Sequence, residues 1–196
     1  MITRAVFQQH EVDMLNWYWF QHGFSEDDVN RVLSVAQSFP YQEAVTLGSV
    51  GVDESIRKSQ IKWLHSANPA THWLYDKLMD LAQIGNRELW NFELLSTIDS
   101  IQFTEYREGG GHYDYHLDIG SGSASLRKLS IVVQLSDPSE YEGGDFQILR
   151  GKSPENLPKN KGAVLLFPSY LMHRVTPVTK GLRRSLVIWV GGTHYR

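Results

Sequence analysis

The segment "YREGGGHYDYHLD", residues 106–118, carries two His-x-Asp pairs, His112-x-Asp114 and His116-x-Asp118. A third candidate ligand, His173, stands in "FPSYLMHRVTPVTKGLRRSLVIW", with Arg183 further along the same stretch. On a strand, residues i and i+2 point to one side, so either pair could aim an imidazole and a carboxylate at one point. Two imidazoles and one carboxylate on one face of a metal leave its other positions open. That ligand set suits a non-haem Fe(II) centre whose open sites take a chelating cosubstrate and O2. Arg183 begins the strand-like run "RRSLVIWV". A guanidinium there can clamp a carboxylate through two parallel hydrogen bonds and so hold the far end of a dicarboxylate cosubstrate. Neighbours on a strand face opposite ways, so one of Arg183 and Arg184 points inward and the other outward. By alternation alone His112, Asp114, His116 and Asp118 all share a face, and pattern does not choose between the pairs.

Composition narrows the alternatives. The chain has no cysteine, which excludes disulfides, thiolate zinc sites and cysteine nucleophiles, so a metal needs His, Asp or Glu. Nineteen basic against 22 acidic residues give a net charge of −3 with no long run of either sign. Nothing there suits a phosphate backbone, and no nucleic-acid partner is expected. The opening "MITRAVFQQHEVDMLNWYWF" lacks the basic start and long apolar run of a leader, and no apolar window reaches the length of a membrane span. The expectation is a single domain, residues 1–196, held in a reducing cytoplasm without membrane contact.

The elements that must position these residues fall into two regions. Ser25 caps a predicted helix whose first turn is acidic and whose apolar stripe is Val29, Val32, Leu33 and Ala36, with Pro40 as its stop. A second helix is predicted from about Ala70 to Leu81. The cluster Trp17–Phe20 is read as packing, and "IRKSQIKWLHS", 56–66, as a structural loop holding Trp63 and His65. From Trp90 onward, short runs rich in β-branched and aromatic residues alternate with Gly, Pro, Ser and Asp, which predicts an antiparallel sandwich or barrel. Residues 149–162 read as loop. Helices first and strands later make a mainly β, α+β domain: a helical support region over 1–89 and a strand core over 90–196.

Taken together, Tyr106 to Asp118, "EGGDF" at 142–146, "KGAVLLFPS" at 161–169 and "HRVTPVTKGLRRSLVIW" at 173–189 resemble the 2-oxoglutarate- and Fe(II)-dependent dioxygenases, in particular the prolyl 4-hydroxylase-like branch. The resemblance covers roughly residues 90–191. It implies a double-stranded β-helix, or jelly roll, with the N-terminal helices packed on the larger sheet. It implies His116, Asp118 and His173 as the catalytic iron ligands and Arg183 as the partner of the distal carboxylate of 2-oxoglutarate. It places Tyr106 near the cosubstrate or the substrate, Gln134 where relatives often carry a cosubstrate-binding tyrosine, Trp189 as an aromatic lining the iron pocket and Tyr113 beside the site; Arg127, just before the run "LSIVVQLS", is read from its position as a substrate contact or an exposed strand-edge charge. His112 and Asp114 then fall on a polar rim after a glycine hinge. A carboxylate at position 118, which related halogenases lack, favours hydroxylation. The implied reaction hydroxylates an unactivated C–H bond, of a peptidyl proline by branch resemblance, using Fe(II), 2-oxoglutarate and O2 with ascorbate as support, and releases succinate and CO2. The alternatives are hydroxylation of a free amino acid or small metabolite, and a jelly-roll binding protein without turnover.

Overall fold

The computed structural model describes residues 16–44 and 53–194; the reading of the opening residues as free of a leader lies outside these. Helix α1, Glu26–Gln37, starts where Ser25 predicts. The Ser25 hydroxyl accepts from the Asp28 N–H, and the Asp28 carboxylate accepts from the Ser25 N–H, which closes a capping box. Helix α2, His72–Leu89, runs about two turns past its expected end. Its last turns contain Gly85 and Asn86, which are packing residues here. A Cβ on Gly85 would lie 2.8 Å from Leu166 Cδ2 and 3.2 Å from the Tyr18 ring. The Asn86 amide both donates to and accepts from the Phe92 backbone, at 2.8 and 2.9 Å, and so ties down the exit of the helix.

The strands are β1 Tyr18–Phe20, β2 Gln42–Glu43, β3 Arg57–Lys58, β4 Gln60–Leu64, β5 Leu94–Thr97, β6 Ile101–Arg107, β7 Gly111–His116, β8 Arg127–Gln134, β9 Tyr141–Gly143, β10 Phe146–Arg150, β11 Ser153–Asn156, β12 Val164–Pro168 and β13 His173–Gly192. The larger sheet has the order β1-β12-β8-β13-β6-β4-β2, with β5 against the end of β13. The smaller sheet joins β3, β7, β10, β11 and β9 around the first half of β13. All of these pairings are antiparallel. β13 thus serves both sheets: from His173 it pairs with β7, β9 and β10, and from Leu182 with β6 and later β8. The result is a jelly roll. The region before residue 90 is not only helical, because β1 and β4 extend the larger sheet and the expected loop at 56–66 is β3 and β4. The loop-like stretch after Leu149 likewise contains β11, paired with β10.

Period-2 alternation divides the larger sheet into two faces. Leu129, Ile131 and Val133 of β8 join Leu186, Ile188 and Val190 of β13 against Val29, Val32, Leu74 and Leu78 of the helices. The opposite side of the same strands faces the smaller sheet, where Val132, Leu165 and Phe167 meet Ile148, Val175 and Val178. β1 splits the same way, with Tyr18 and Phe20 on the helix side and Trp17 and Trp19 on the inter-sheet side. No helix among the described residues is long and apolar enough to cross a membrane.

β13 passes from one sheet to the other beside Gly181, whose φ is +76° and whose added Cβ would sit 2.1 Å from the Glu140 carbonyl oxygen. Only glycine fits both demands. Gly181→Ala should therefore lower stability by about 1–3 kcal/mol, read from the urea midpoint; an unchanged midpoint would show that this corner is not strained.

Candidate metal centre

The choice between the two His-x-Asp pairs is made by an irregularity in β7. His173 pairs with His116 and Val175 with Tyr113, so β7 uses one more residue than β13 over this interval. Such a bulge breaks the alternation of side chains. Tyr113 and His116 come to the same side and stack with centroids 3.5 Å apart. His112 turns away, with its ring nitrogens on the carbonyls of Gly110 and Ser55 at 2.8 and 3.1 Å. Asp114 is exposed and accepts from the Tyr115 N–H. The structure brings together His116, Asp118 and His173, whose ligand atoms all lie within 4.8 Å of one another.

Asp118 sits between the two rings. Its Oδ1 is 3.7 Å from His116 Nε2 and its Oδ2 is 3.4 Å from His173 Nε2. Each histidine places Nδ1 2.8 Å from a backbone carbonyl, that of Asp114 for His116 and that of Leu171 for His173. A carbonyl can only accept, so Nδ1 carries the proton and each Nε2 turns its lone pair toward Asp118. Burial, reinforced by neighbouring His173, pushes the His116 pKa down to about 3, so the ring is neutral at pH 7. Burial alone would raise the Asp118 carboxyl, but His173, His116, the Ser130 hydroxyl and the Trp189 indole outweigh it and hold the group below the usual carboxylate range. The neutral His116 ring, the His173 ring with its Nε2 turned inward and an ionised carboxylate, converging on one point, fit Fe(II).

Several supports of this carboxylate had no motif to announce them. Ser130 Oγ donates to Asp118 Oδ2 at 2.5 Å and lies 3.0 Å from Ser169 Oγ, while the Asp118 N–H donates to the Ser169 carbonyl. Arg127 Nη1 donates to the Asp118 carbonyl at 2.9 Å, and Arg127 also pairs with Asp99 and lies 3.9 Å over the Trp189 ring. It borders the cavity as expected, but its hydrogen bonds brace the ligand loop. Period-2 counting along β8 puts Ser130 on the inward side with Val132 and Gln134; Ser169 and Asp99 lie outside any strand and have no such signal.

The cavity between the sheets has a volume of about 360 Å³, with the three candidate ligands on its wall. Arg183 also lines it and is 1% exposed. Its Nη2 donates to Gln134 Oε1 at 2.9 Å and its Nη1 reaches Ser185 Oγ at 3.5 Å. Its Nε is buried without an acceptor, and no carboxylate among the described residues pairs with it. A buried guanidinium in that state is costly until an anion joins it, so one carboxylate of 2-oxoglutarate fits here. Arg184 turns to the other face and donates to Glu105 at 3.0 Å, as alternation requires. Tyr106 borders the cavity with its ring 5.2 Å from the Arg183 guanidinium carbon. Gln134, expected to face the cosubstrate, does not line the cavity. It stands behind Arg183, accepting from it and donating to the Pro158 carbonyl at 3.1 Å, because a glutamine one register along β8 reaches the arginine and no further. Tyr113 and Trp189 line the cavity, and so do Arg57 and Trp63, which the loop reading of 56–66 left out.

The sequence profile of the 2OG-Fe(II) oxygenase superfamily matches residues 101–191, the stretch that holds all three candidate ligands and Arg183. Over that stretch, a little under half of the chain, the protein is similar to that superfamily. A PKHD-type hydroxylase of Teredinibacter turnerae is 38% identical over 93 residues, which cover 45% of this chain and 41% of that protein. The chain spans about half or less of the length of the first curated relatives it matches. A prolyl-4-hydroxylase of Pseudomonas putida shares the fold at 22% identity with a TM-score of 0.69, over 91% of this chain and 94% of that one. A prolyl hydroxylase of Trichoplax adhaerens, solved with a hypoxia-inducible-factor peptide fragment, shares it at 18% identity with a TM-score of 0.75, over 90% and 83%.

The lowered His116 pKa carries a sign. Between about pH 6.5 and 3 the unfolded ring binds a proton that the folded one does not, so the metal-free protein loses stability as pH falls through that window. Asp118, already ionised there, does not offset the loss. The urea midpoint of metal-free protein should fall between pH 7 and 4.5, and fall less in His116→Gln. Equal slopes would place the proton elsewhere.

Proposed function

We propose that this chain hydroxylates an unactivated C–H bond of a prolyl residue, consuming O2 and 2-oxoglutarate and releasing succinate and CO2. One oxygen atom enters the product and the other enters succinate. The observation that carries this reading is one cavity with His116, Asp118 and His173 converging on one wall, and on another a buried arginine that no carboxylate among the described residues pairs with. The match of residues 101–191 to the 2OG-Fe(II) oxygenase profile supports the reaction type. The names of the relatives, PKHD-type and prolyl hydroxylases, support the prolyl substrate, and the peptide-bound neighbour supports a peptide.

In this reading His116, Asp118 and His173 would hold the metal. Bound iron supplies the O2 activation that side chains cannot perform. The protein's own part is placement. The backbone carbonyls of Asp114 and Leu171 fix the tautomer of each ligand histidine. Ser130 holds one carboxylate oxygen of Asp118. Gln134 and Ser185 fix the guanidinium of Arg183, which takes the distal carboxylate and thereby orients the keto-acid end toward the ligand set. Tyr113, Trp63 and Trp189 wall the cavity with aromatic surface that excludes water from the reacting centre. We place this reaction in a reducing compartment, where Fe(II) persists and a chain without cysteine loses nothing.

Purified protein with Fe(II), ascorbate, 2-oxoglutarate and a library of proline-containing peptides should release succinate in step with a mass gain of one oxygen atom. Arg183→Gln should raise the KM for 2-oxoglutarate by about tenfold or more, the scale of a lost charge-assisted hydrogen bond. Peptide-dependent succinate without product mass gain would sink hydroxylation, and failure to bind Fe(II) with 2-oxoglutarate would sink the enzyme reading.

A further inference from the structure

Three arginines border the cavity, and they are not equivalent. Arg183 is the cosubstrate arginine of the reading above. Arg127 is consumed by Asp99 and by the Asp118 carbonyl. Arg57, from β3, remains. It is 5% exposed, and its Nε donates to Ser59 Oγ at 2.9 Å. Its Nη2 is buried with no acceptor, and no carboxylate among the described residues pairs with it. Its guanidinium carbon lies 4.5 Å over the Tyr113 ring, which in turn stacks on His116. Guanidinium, phenol and ligand imidazole form one pile, so the free charge stands one aromatic layer from the metal site.

Charge counting points the same way. Arg57, Arg127 and Arg183 line the cavity against Asp99 and Asp118. Add a divalent metal and the dianion of 2-oxoglutarate, and one positive charge is left over. In a water-poor cavity an unbalanced charge is costly, and the balance is restored if the substrate is a monoanion.

We infer that Arg57 binds a carboxylate of the primary substrate, so that the prolyl group entering beside the metal carries its own α-carboxylate. This rests on the hydroxylase reading and sharpens it: an internal proline has an amide there, whereas a chain-terminal proline or free proline has the acid. A planar guanidinium matches a carboxylate in two parallel hydrogen bonds, while a peptide carbonyl can satisfy only part of it and leaves the charge unbalanced.

The test separates acid from amide and binding from turnover. Fe(II)-loaded protein with 2-oxoglutarate, kept anaerobic, is titrated by calorimetry with N-acetylglycyl-L-proline, its carboxamide and L-proline. The acid should bind about tenfold or more tightly than the carboxamide. Arg57→Gln should erase that difference while leaving the affinity for 2-oxoglutarate unchanged, and Arg57→Lys should restore part of it. A merely structural role for Arg57 would weaken acid and amide alike. L-proline binding as well as the dipeptide acid assigns the carboxylate to the free imino acid, and weaker binding assigns it to a chain end; both support the proposal. Equal affinities for acid and amide, a preference that survives Arg57→Gln, or no binding of either acid overturns it. Peptide-dependent succinate release with indifferent acid and amide binding overturns this inference alone. Acid-selective binding with no succinate from any substrate overturns the hydroxylase reading alone.

Discussion

A carboxylate buried to 5% exposure, with two histidine rings as its nearest ring partners, is the demand that the rest of this structure answers. Asp118 is held ionised by two imidazoles, a serine hydroxyl and an indole rather than by a permanent cation. Such an arrangement is unfavourable as a purely structural ion pair, because neutral histidines compensate a carboxylate poorly. It becomes favourable when a dication sits among the three groups. Burial keeps His116 neutral, and the outer nitrogens of both histidines are already engaged by backbone carbonyls. The fold therefore holds the donor atoms in the protonation states that a metal requires before the metal arrives.

Placing those donors depends on β13. His173 stands at its first residue, in the smaller sheet, and Arg183 lies just past the point where the strand joins the larger one. Ten residues of straight strand would span about 33 Å, far too long for two groups of one small cavity. The register shifts before Val178, and Gly181 near the crossing, bend the strand so that both ends border the same space. Metal ligand and cosubstrate arginine are thus spaced by the curvature of a single strand, which fixes their separation without any contact between them.

Much of this was legible in the sequence wherever one local rule decides the outcome. Ser25 with Asp28 announces its helix because a cap needs only four residues. Arg183 and Arg184 split inward and outward because alternation needs only two. The pairing of His116 with Asp118 was different: alternation placed four candidate ligands on one face, and the family pattern, not the period, favoured the later pair. The physical cause is the bulge between Tyr113 and His116, which depends on the register with β13 and has no local signature. The last two turns of α2 were missed for a similar reason, since the roles of Gly85 and Asn86 are set by Leu166 and Phe92. Arg57 and Trp63 were hidden in a stretch that looked like loop, because two-residue β3 is a strand only by virtue of its pairing with β7. Gln134 sits on the side of β8 that alternation assigns, yet how far a side chain reaches is decided by what already stands in front of it.

The alternation that divides the larger sheet also separates stability from chemistry along one strand. On β13, Leu186, Ile188 and Val190 pack on the helices, while Arg183, Ser185, Val187 and Trp189 face the cavity. The apolar face supplies burial that can hold the charged face in place, since each large aliphatic side chain removed from water contributes about 1.5–3 kcal/mol. Three arginines can crowd one cavity only because of that backing, and only if each finds an anion. Asp99 answers Arg127, and in the proposed reaction 2-oxoglutarate answers Arg183. No carboxylate among the described residues answers the charge on Arg57, which falls to the substrate in the inference above. Selectivity for an acid over an amide then follows from the same electrostatic balance that shapes the metal site, with no separate recognition surface required.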